Sequence, residues 1–313
     1  MNSFVTAQHN YYTLDYYFKK TYNSKVFKVA LNGNFSCPNR DGTISNSGCI
    51  FCSDMGSGEF AGKKEDDLKT QFNLVKEMME LKWKNALYIA YFQANTNTYG
   101  PLSKLKRLFE EAINLDKNII AIDIATRPDC LSIETLDYLA FLNKRKKVII
   151  ELGLQTMHDK TAEIINRGYK LECFEKAVNE LRKRNIEVVV HIINGLPFET
   201  DEMMIETVKY LSKQDIQGLK IHSLYVLENT KLNEMYQNKE FECMSLEDYV
   251  RITSLELSYV RPDIVIHRIN GDPPKNKFVA PEWSLKKFVI MNEIDKYMKK
   301  NKIIQGDKFL KSQ

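Results

Sequence analysis

No apolar run in the 313-residue chain approaches the roughly 18 residues that a bilayer crossing needs, so no membrane partner is expected. The start, MNSFVTAQHNYYTLDYYFKK, lacks a basic stretch followed by an apolar one and does not read as a signal peptide. Glycine and proline are scarce, at 13 and 8, which excludes collagen-like and low-complexity classes. No internal repeat stands out. With 43% hydrophobic and 27% charged residues, the composition is that of a globular protein large enough to bury a sizeable core. Without export the expected compartment is the cytoplasm, where the six cysteines stay reduced. That favours metal binding or plain burial over disulfides.

The net charge of +4 is uneven. Residues 1–40 carry five Lys/Arg and one acid, and residues 261–313 carry twelve Lys/Arg and six acids, leaving an acidic centre. Basic ends suit an anionic partner such as nucleic acid, although solubilising lysines on surface helices give the same balance.

Strand-like runs alternate with amphipathic helices. The strand candidates are 26–33, 86–93, 119–126, 148–155, 186–193 and 218–227, several of them nearly all apolar, as parallel strands covered by helices are. Between them, Leu102, Leu105, Phe109 and Ala112 form one helical stripe, and Phe174, Ala177, Val178 and Leu181 another. Six βα units in succession predict an α/β fold with a parallel sheet, doubly wound or curled towards a barrel. Ligands then bind at the carboxyl ends of the strands. The alternation stops near residue 236, beyond which come a helix-like stretch (246–259), a short strand-like run (263–269), a Pro-rich loop (270–283) and a basic terminal helix. The expected division is an N-terminal extension (1–24), a core (25–236) and a mixed, basic C-terminal extension packed on it (237–313).

The loop after the first strand, CPNRDGTISNSGCIFC, holds Cys37, Cys49 and Cys52, the last two spaced C-x2-C. Three thiolates can ligate a [4Fe–4S] cube and leave one iron open. A zinc site completed by Cys130 or His191, or three unrelated thiols, are the alternatives.

This arrangement resembles the radical S-adenosylmethionine superfamily, although the spacing between the first two cysteines is longer than usual there. The resemblance implies a partial (β/α)6 TIM-like barrel, a [4Fe–4S] cluster on Cys37, Cys49 and Cys52, and bound S-adenosylmethionine as source of a 5′-deoxyadenosyl radical. ELGLQTMHDKTAEIINRGY (151–169) is similar to the fourth-strand segment of the branch containing oxygen-independent coproporphyrinogen oxidase and the Elp3-type tRNA enzymes, which assigns Glu151, Gln155 and Arg167 to cofactor binding. HIINGLPFET (191–200) matches that branch's fifth-strand motif, with His191 where the porphyrinogen enzyme has an Asp beside the ribose, and with Gly195 and Leu196 in the loop. At the second strand, YFQANTNTYGP stands in place of a common Gly-Gly-Glu; Gln93, Asn95 and Thr96 supply alternative hydrogen bonds. IATRPDCL carries an Elp3-like R-P-D, making Arg127 and Cys130 substrate-side candidates, although Arg127 can instead pair with Asp129.

YFQANTNTY, ATRPDCL, ELGLQT, HIINGLPFET and HRINGDPPKNKFVAPEWSLKK together resemble the YtqA/YhcC subgroup of Elp3-like proteins over roughly residues 10–310. For the MnmL-type members the resemblance implies modification of the tRNA wobble uridine, from 5-carboxymethylaminomethyl-(2-thio)uridine to the 5-aminomethyl form. The implied partners are tRNA, a reductant such as flavodoxin or ferredoxin, and a downstream methyltransferase. Tyr11, Tyr12, Tyr16, Tyr17 and Trp283, beside basic ends, are candidates for gripping RNA. Two other functions fit parts of the pattern: a radical enzyme acting on a small carboxylated metabolite, and a zinc-stabilised, non-enzymatic RNA-binding module.

Overall fold

The computed structural model describes residues 4–56 and 58–310. In chain order, α1 (Leu14–Tyr22) precedes β1 (Val26–Leu31), followed by α2 (Leu68–Glu80), β2 (Leu87–Phe92), α3 (Leu102–Ile113), β3 (Ile119–Thr126), α4 (Ile133–Asn143) and β4 (Lys147–Gln155). Then come α5 (Asp159–Ile164), α6 (Leu171–Lys183), β5 (Glu187–Asn194), α7 (Asp201–Leu211), β6 (Gly218–Ser223), β7 (Val226–Leu227) and α8 (Lys231–Gln237). The last elements are α9 (Leu246–Tyr259), β8 (Val265–Arg268), β9 (Phe278–Ala280) and α10 (Lys287–Lys300). Several helices start where a side chain caps them: Thr13, Asp67, Ser132 and Ser245 accept the N–H three residues on, at 2.7–3.2 Å.

The sheet runs β1-β2-β3-β4-β5-β6-β8, parallel throughout, a curled half-barrel as the partial TIM-like reading expects. It has seven strands rather than six. The seventh, β8, comes from the extension beyond residue 236, which therefore completes the sheet beside β6 as well as packing on it.

Strand periodicity sorts the residues. Facing out, Val29, Phe92, Ile122, Ile150, Val190 and Ile221 pack with Phe109 of α3, Leu139 of α4, Phe174 of α6 and Val208 of α7 in the main core. Facing in, Val26, Ile89, Ala121, Ile149 and Val189 form a separate apolar layer, closed by Phe18 of α1. Helix α1 therefore plugs the amino-terminal end of the half-barrel and leaves the carboxyl end for a ligand.

The two chain ends clasp each other. Asn10 donates to Ile303 O (2.8 Å), Gln305 N to Asn10 O (2.9 Å), and Ile266 N of β8 to Tyr12 O (2.7 Å). Tyr11 and Tyr12, candidates for gripping RNA, are buried in this clasp, only 3% and 6% exposed, so they cannot present their rings. Tyr16 and Tyr17 are half-buried, and the Trp283 indole donates to Met244 O (2.9 Å).

Candidate functional site

Residues 34–56 and 58–62 cross the open end of the half-barrel. The path is pinned at each contact: Asn39 Nδ2 donates to Asn166 O (2.6 Å), Asn166 Nδ2 to Gly48 O (2.6 Å), and Leu232 N to Ile50 O (2.9 Å). The loop then returns to the β2 edge, where Asn95 N donates to Gly56 O (3.0 Å). Only glycine fits at 56, because φ is +57° and a Cβ would lie 1.9 Å from Asn95 Oδ1. This tie sets the position of the thiols.

Cys37, Cys49 and Cys52 are half-buried thiols in no disulfide, and all three line one cavity of about 240 Å³. A hydrogen bond with Cys52, aided by Arg127 and by Asn39 (Nδ2 to Sγ, 3.6 Å), holds the Cys49 thiol below its ordinary range, against burial and Cys37. Among the described residues no three His, Cys, Asp or Glu groups come together as they would around a single metal ion. A cube that takes each thiolate on a different iron asks for a wider set, and three cysteine sulfurs facing one cavity fit it.

Gln93, Asn95 and Thr96 line the same cavity from the end of β2. Gln155 ends β4 across a register shift, in a left-handed conformation (φ +62°), and its side chain folds back over Gly153. A Cβ at 153 would stand 2.5 Å from Gln155 Nε2, so the neighbouring glycine is what admits that amide to the cavity.

Arg127 and Arg167 reach the cavity wall with their guanidinium groups already engaged. Arg127 grips Asp129 bidentately (2.9 and 2.7 Å), the alternative raised for it above, and donates to Arg167 O (2.9 Å). Arg167, 1% exposed, donates to the carbonyls of Leu154 (2.7 Å), Thr156 (2.6 Å) and Tyr169 (3.0 Å), clamping the loop after β4. Both stack against Tyr169.

Three expected residues do not line the cavity. Leu196 is buried among Ile50, Ile165 and Leu224, and Gly195 faces a small crevice beside Met244 and Trp283. The Cys130 thiol sits against Asp129 (3.6 Å), and burial pushes its pKa up, away from thiolate chemistry.

Below the thiols lies a charged layer. Glu151, expected as a cofactor contact, is fully buried and accepts from Lys28 (2.7 Å), Lys220 (2.5 Å), Tyr91 (2.6 Å) and His191 (2.8 Å). Lys28 also pairs with buried Asp123. Two lysines thus balance two carboxylates, the condition under which such groups tolerate burial. Burial sets Asp123 up to about 7 and Lys220 down to about 8, while Lys220 and Lys28 hold Glu151 well below the usual carboxylate range against its own burial. Burial also lowers His191 to about 4, so its ring is neutral, stacked on that of His222 (centroids 5.3 Å apart).

Sequence reasoning did not single out Lys28, Tyr91, Asp123, Lys220, His222 or Arg268. The signal was present, however: most strands carry an ionisable residue inside an otherwise apolar run, as in VFKVAL, IIAIDIAT and GLKIHS. Groups of that kind can lie on a strand's buried face only if they meet.

A family model described as the radical SAM superfamily matches residues 41–211, and the radical SAM C-terminal domain matches residues 216–300. The chain belongs to the radical SAM superfamily. It is 45% identical over 306 residues to YtqA of Bacillus subtilis, covering 98% of this chain and 95% of that one. It is 27% identical over 187 residues to the tRNA uridine(34) acetyltransferase of Methanocaldococcus jannaschii, covering 59% of this chain and 34% of that protein. In fold it resembles the Elp3 of Methanocaldococcus infernus, with a TM-score of 0.67 at 18% identity, over 90% of this chain and 64% of that one. These relatives bear out the Elp3-like radical SAM subgroup. The protein is a radical SAM enzyme, and the non-enzymatic zinc module falls. Among the described residues no helix is long and apolar enough to cross a membrane.

Proposed function

We propose that this radical SAM enzyme modifies the wobble uridine of tRNA, converting 5-carboxymethylaminomethyl-(2-thio)uridine to its 5-aminomethyl form. The observation that carries the reading is one cavity lined both by three cysteine thiols and by the cations of β6 and β8. A relative's name supplies the nucleoside: the similar archaeal protein is a tRNA uridine(34) acetyltransferase.

In this reading Cys37, Cys49 and Cys52 hold a [4Fe–4S] cluster, and Gln93, Asn95, Thr96 and Gln155 seat S-adenosylmethionine. Together, once reduced by a donor such as flavodoxin or ferredoxin, these groups supply a hydrogen-abstracting 5′-deoxyadenosyl radical. The protein's own residues fix geometry. Arg167 and Arg127 lock the loops after β3 and β4, and the Glu151 network holds the floor rigid. Phe60 lines the cavity yet is 56% exposed, which suits an apolar rim for a base drawn out of the anticodon. The product then passes to a methyltransferase.

The test uses anaerobically purified, cluster-loaded protein with reductant and S-adenosylmethionine. 5′-Deoxyadenosine is measured with and without tRNA from a strain lacking the gene, and the wobble nucleoside is then weighed. The expected result is a tRNA-dependent rise in deoxyadenosine and a nucleoside lighter by its carboxymethyl group. Cleavage indifferent to tRNA would redirect the assignment to a small carboxylated metabolite. No cleavage by well-loaded protein would overturn the cofactor assignment.

A further inference from the structure

Four arginines line the cavity, and three are held by the protein itself. Arg40 donates to Ser53 O, Arg127 holds Asp129 and a carbonyl, and Arg167 clamps three carbonyls. Arg268 differs. Its side chain makes no hydrogen bond among the described residues, and the one carboxylate in ion-pair range, Asp272, lies 4.0 Å away. Asp272 is also shared with Lys287 at 3.5 Å.

The position of Arg268 adds to the case. It ends β8 directly across from Lys220 in the β6–β8 register, and both face the cavity. Lys220 is bound to Glu151 (2.5 Å) and Tyr91 (3.2 Å), so it contributes positive potential rather than a vacant donor. Tyr225, also in the lining, lies within electrostatic reach of Cys52 and Glu59 and of Arg268 and Asp272. A molecule touching Arg268 therefore stands in the same cavity as the three thiols. An unengaged guanidinium at a half-desolvated wall is a fork for a planar anion, able to donate two parallel hydrogen bonds.

We propose that Arg268 is the receptor for the substrate's carboxylate and sets the specificity of the site for a base bearing an anionic arm. The inference rests on the reading above, in which the substrate carries a carboxymethyl group and the product does not. Binding through the departing group also favours release: the aminomethyl product has no anion and presents an ammonium to the same cationic wall.

The test measures binding without turnover, on cluster-loaded protein with S-adenosylmethionine and no reductant. The ligands are tRNA with and without the carboxymethyl group at the wobble uridine, and the free nucleosides 5-carboxymethylaminomethyluridine and 5-aminomethyluridine. Wild type is expected to prefer the carboxylate-bearing member of each pair by at least about tenfold, the scale of a charged hydrogen bond. Arg268→Gln should erase the preference and leave affinity for carboxylate-free tRNA and for S-adenosylmethionine unchanged; Arg268→Lys should keep part of it. Arg268 is half-buried and its side chain makes no hydrogen bond among the described residues, so Arg268→Gln removes at most the 4.0 Å ion pair with Asp272, and Arg268→Lys keeps the charge. A preference that survives in Arg268→Gln, or is absent in wild type, overturns the proposal. So does lost S-adenosylmethionine affinity, which would give Arg268 to the cofactor's carboxylate, or equal weakening on both tRNAs, which would give it to a phosphate. If wild type binds no tRNA, the wobble-uridine reading fails by itself, and the nucleoside pair still decides for or against Arg268.

Discussion

Ile150 and Glu151 are neighbours in β4 and point to opposite sides of the sheet. Ile150 packs outward into the main core with the aliphatic and aromatic residues of the surrounding helices. Glu151 points inward and satisfies two lysines, a tyrosine and a histidine drawn from four other strands. The outward face is held by area, which many apolar residues of similar volume would supply. The inward face is held by a closed set of charges, in which each member is needed by the others. Such a face contributes little net stability, but it fixes the positions of polar groups beside the cavity. The helices and the outer face build the barrel, and the inner face builds the site.

The largest expected effect lies on the thiol side. Cys37→Ala, Cys49→Ala or Cys52→Ala should each reduce iron retention sharply and bring 5′-deoxyadenosine formation to background, while far-ultraviolet circular dichroism stays that of wild type. Full activity in any one of them would separate the cysteine loop from the chemistry.

The two faces themselves are compared by Glu151→Ala and Ile150→Ala in urea unfolding. Removing the carboxylate strands buried Lys220, leaves Lys28 to Asp123 alone, and should cost about 3–5 kcal/mol. Removing the isoleucine side chain leaves a cavity and should cost about 2–5 kcal/mol. The costs are similar, so the rescue is what distinguishes the faces. Adding Lys220→Met should recover stability in the Glu151→Ala background and none in the Ile150→Ala background. Equal responses would mean that the interior charges are not one network.

Acid sharpens the same contrast. His191 is depressed to about 4 in the fold, against about 6.5 unfolded. Between those values the unfolded chain binds the proton that the folded chain refuses, so stability falls as pH falls through that window. Asp123, raised to about 7, acts in the opposite sense: its contribution is present at low pH and lost as pH rises through 7. The informative quantity is therefore the difference between wild type and His191→Gln. Wild type should lose up to about 3 kcal/mol more between pH 6.5 and pH 4. Parallel curves would place a proton on His191 in the folded state.

The division between faces also explains what could be read from the sequence. The outer face and helices were legible because apolar periodicity is local. The cysteine loop was legible because its three thiols lie within sixteen residues of one another. The interior network was not, because Lys28 and Glu151 stand 123 positions apart and are partners only once the strand order is known. Strand β8 was legible as a short strand-like run, but its place beside β6 in the main sheet was not, because it stands apart from the alternation and pairs with β6 only once the fold is known. Arg167 was found by its place in a motif, but its hold on three carbonyls depends on the fold of the loop after β4, which no spacing encodes.

The smallest expected effect concerns the closed end of the half-barrel. Thr13 caps α1 by accepting the N–H of Tyr16 at 3.2 Å, and α1 carries Phe18 into the inner apolar layer. Thr13→Ala should cost about 1 kcal/mol in urea unfolding, the usual value of an N-cap. Because α1 lies beneath the charged layer and makes no part of the cavity lining, cluster loading and S-adenosylmethionine affinity should stay at wild-type values. A change in either would mean that the apolar plug and the open end communicate through the Lys28 and Glu151 layer between them. The charged inner face would then not be the only part of the molecule that sets the geometry of the site.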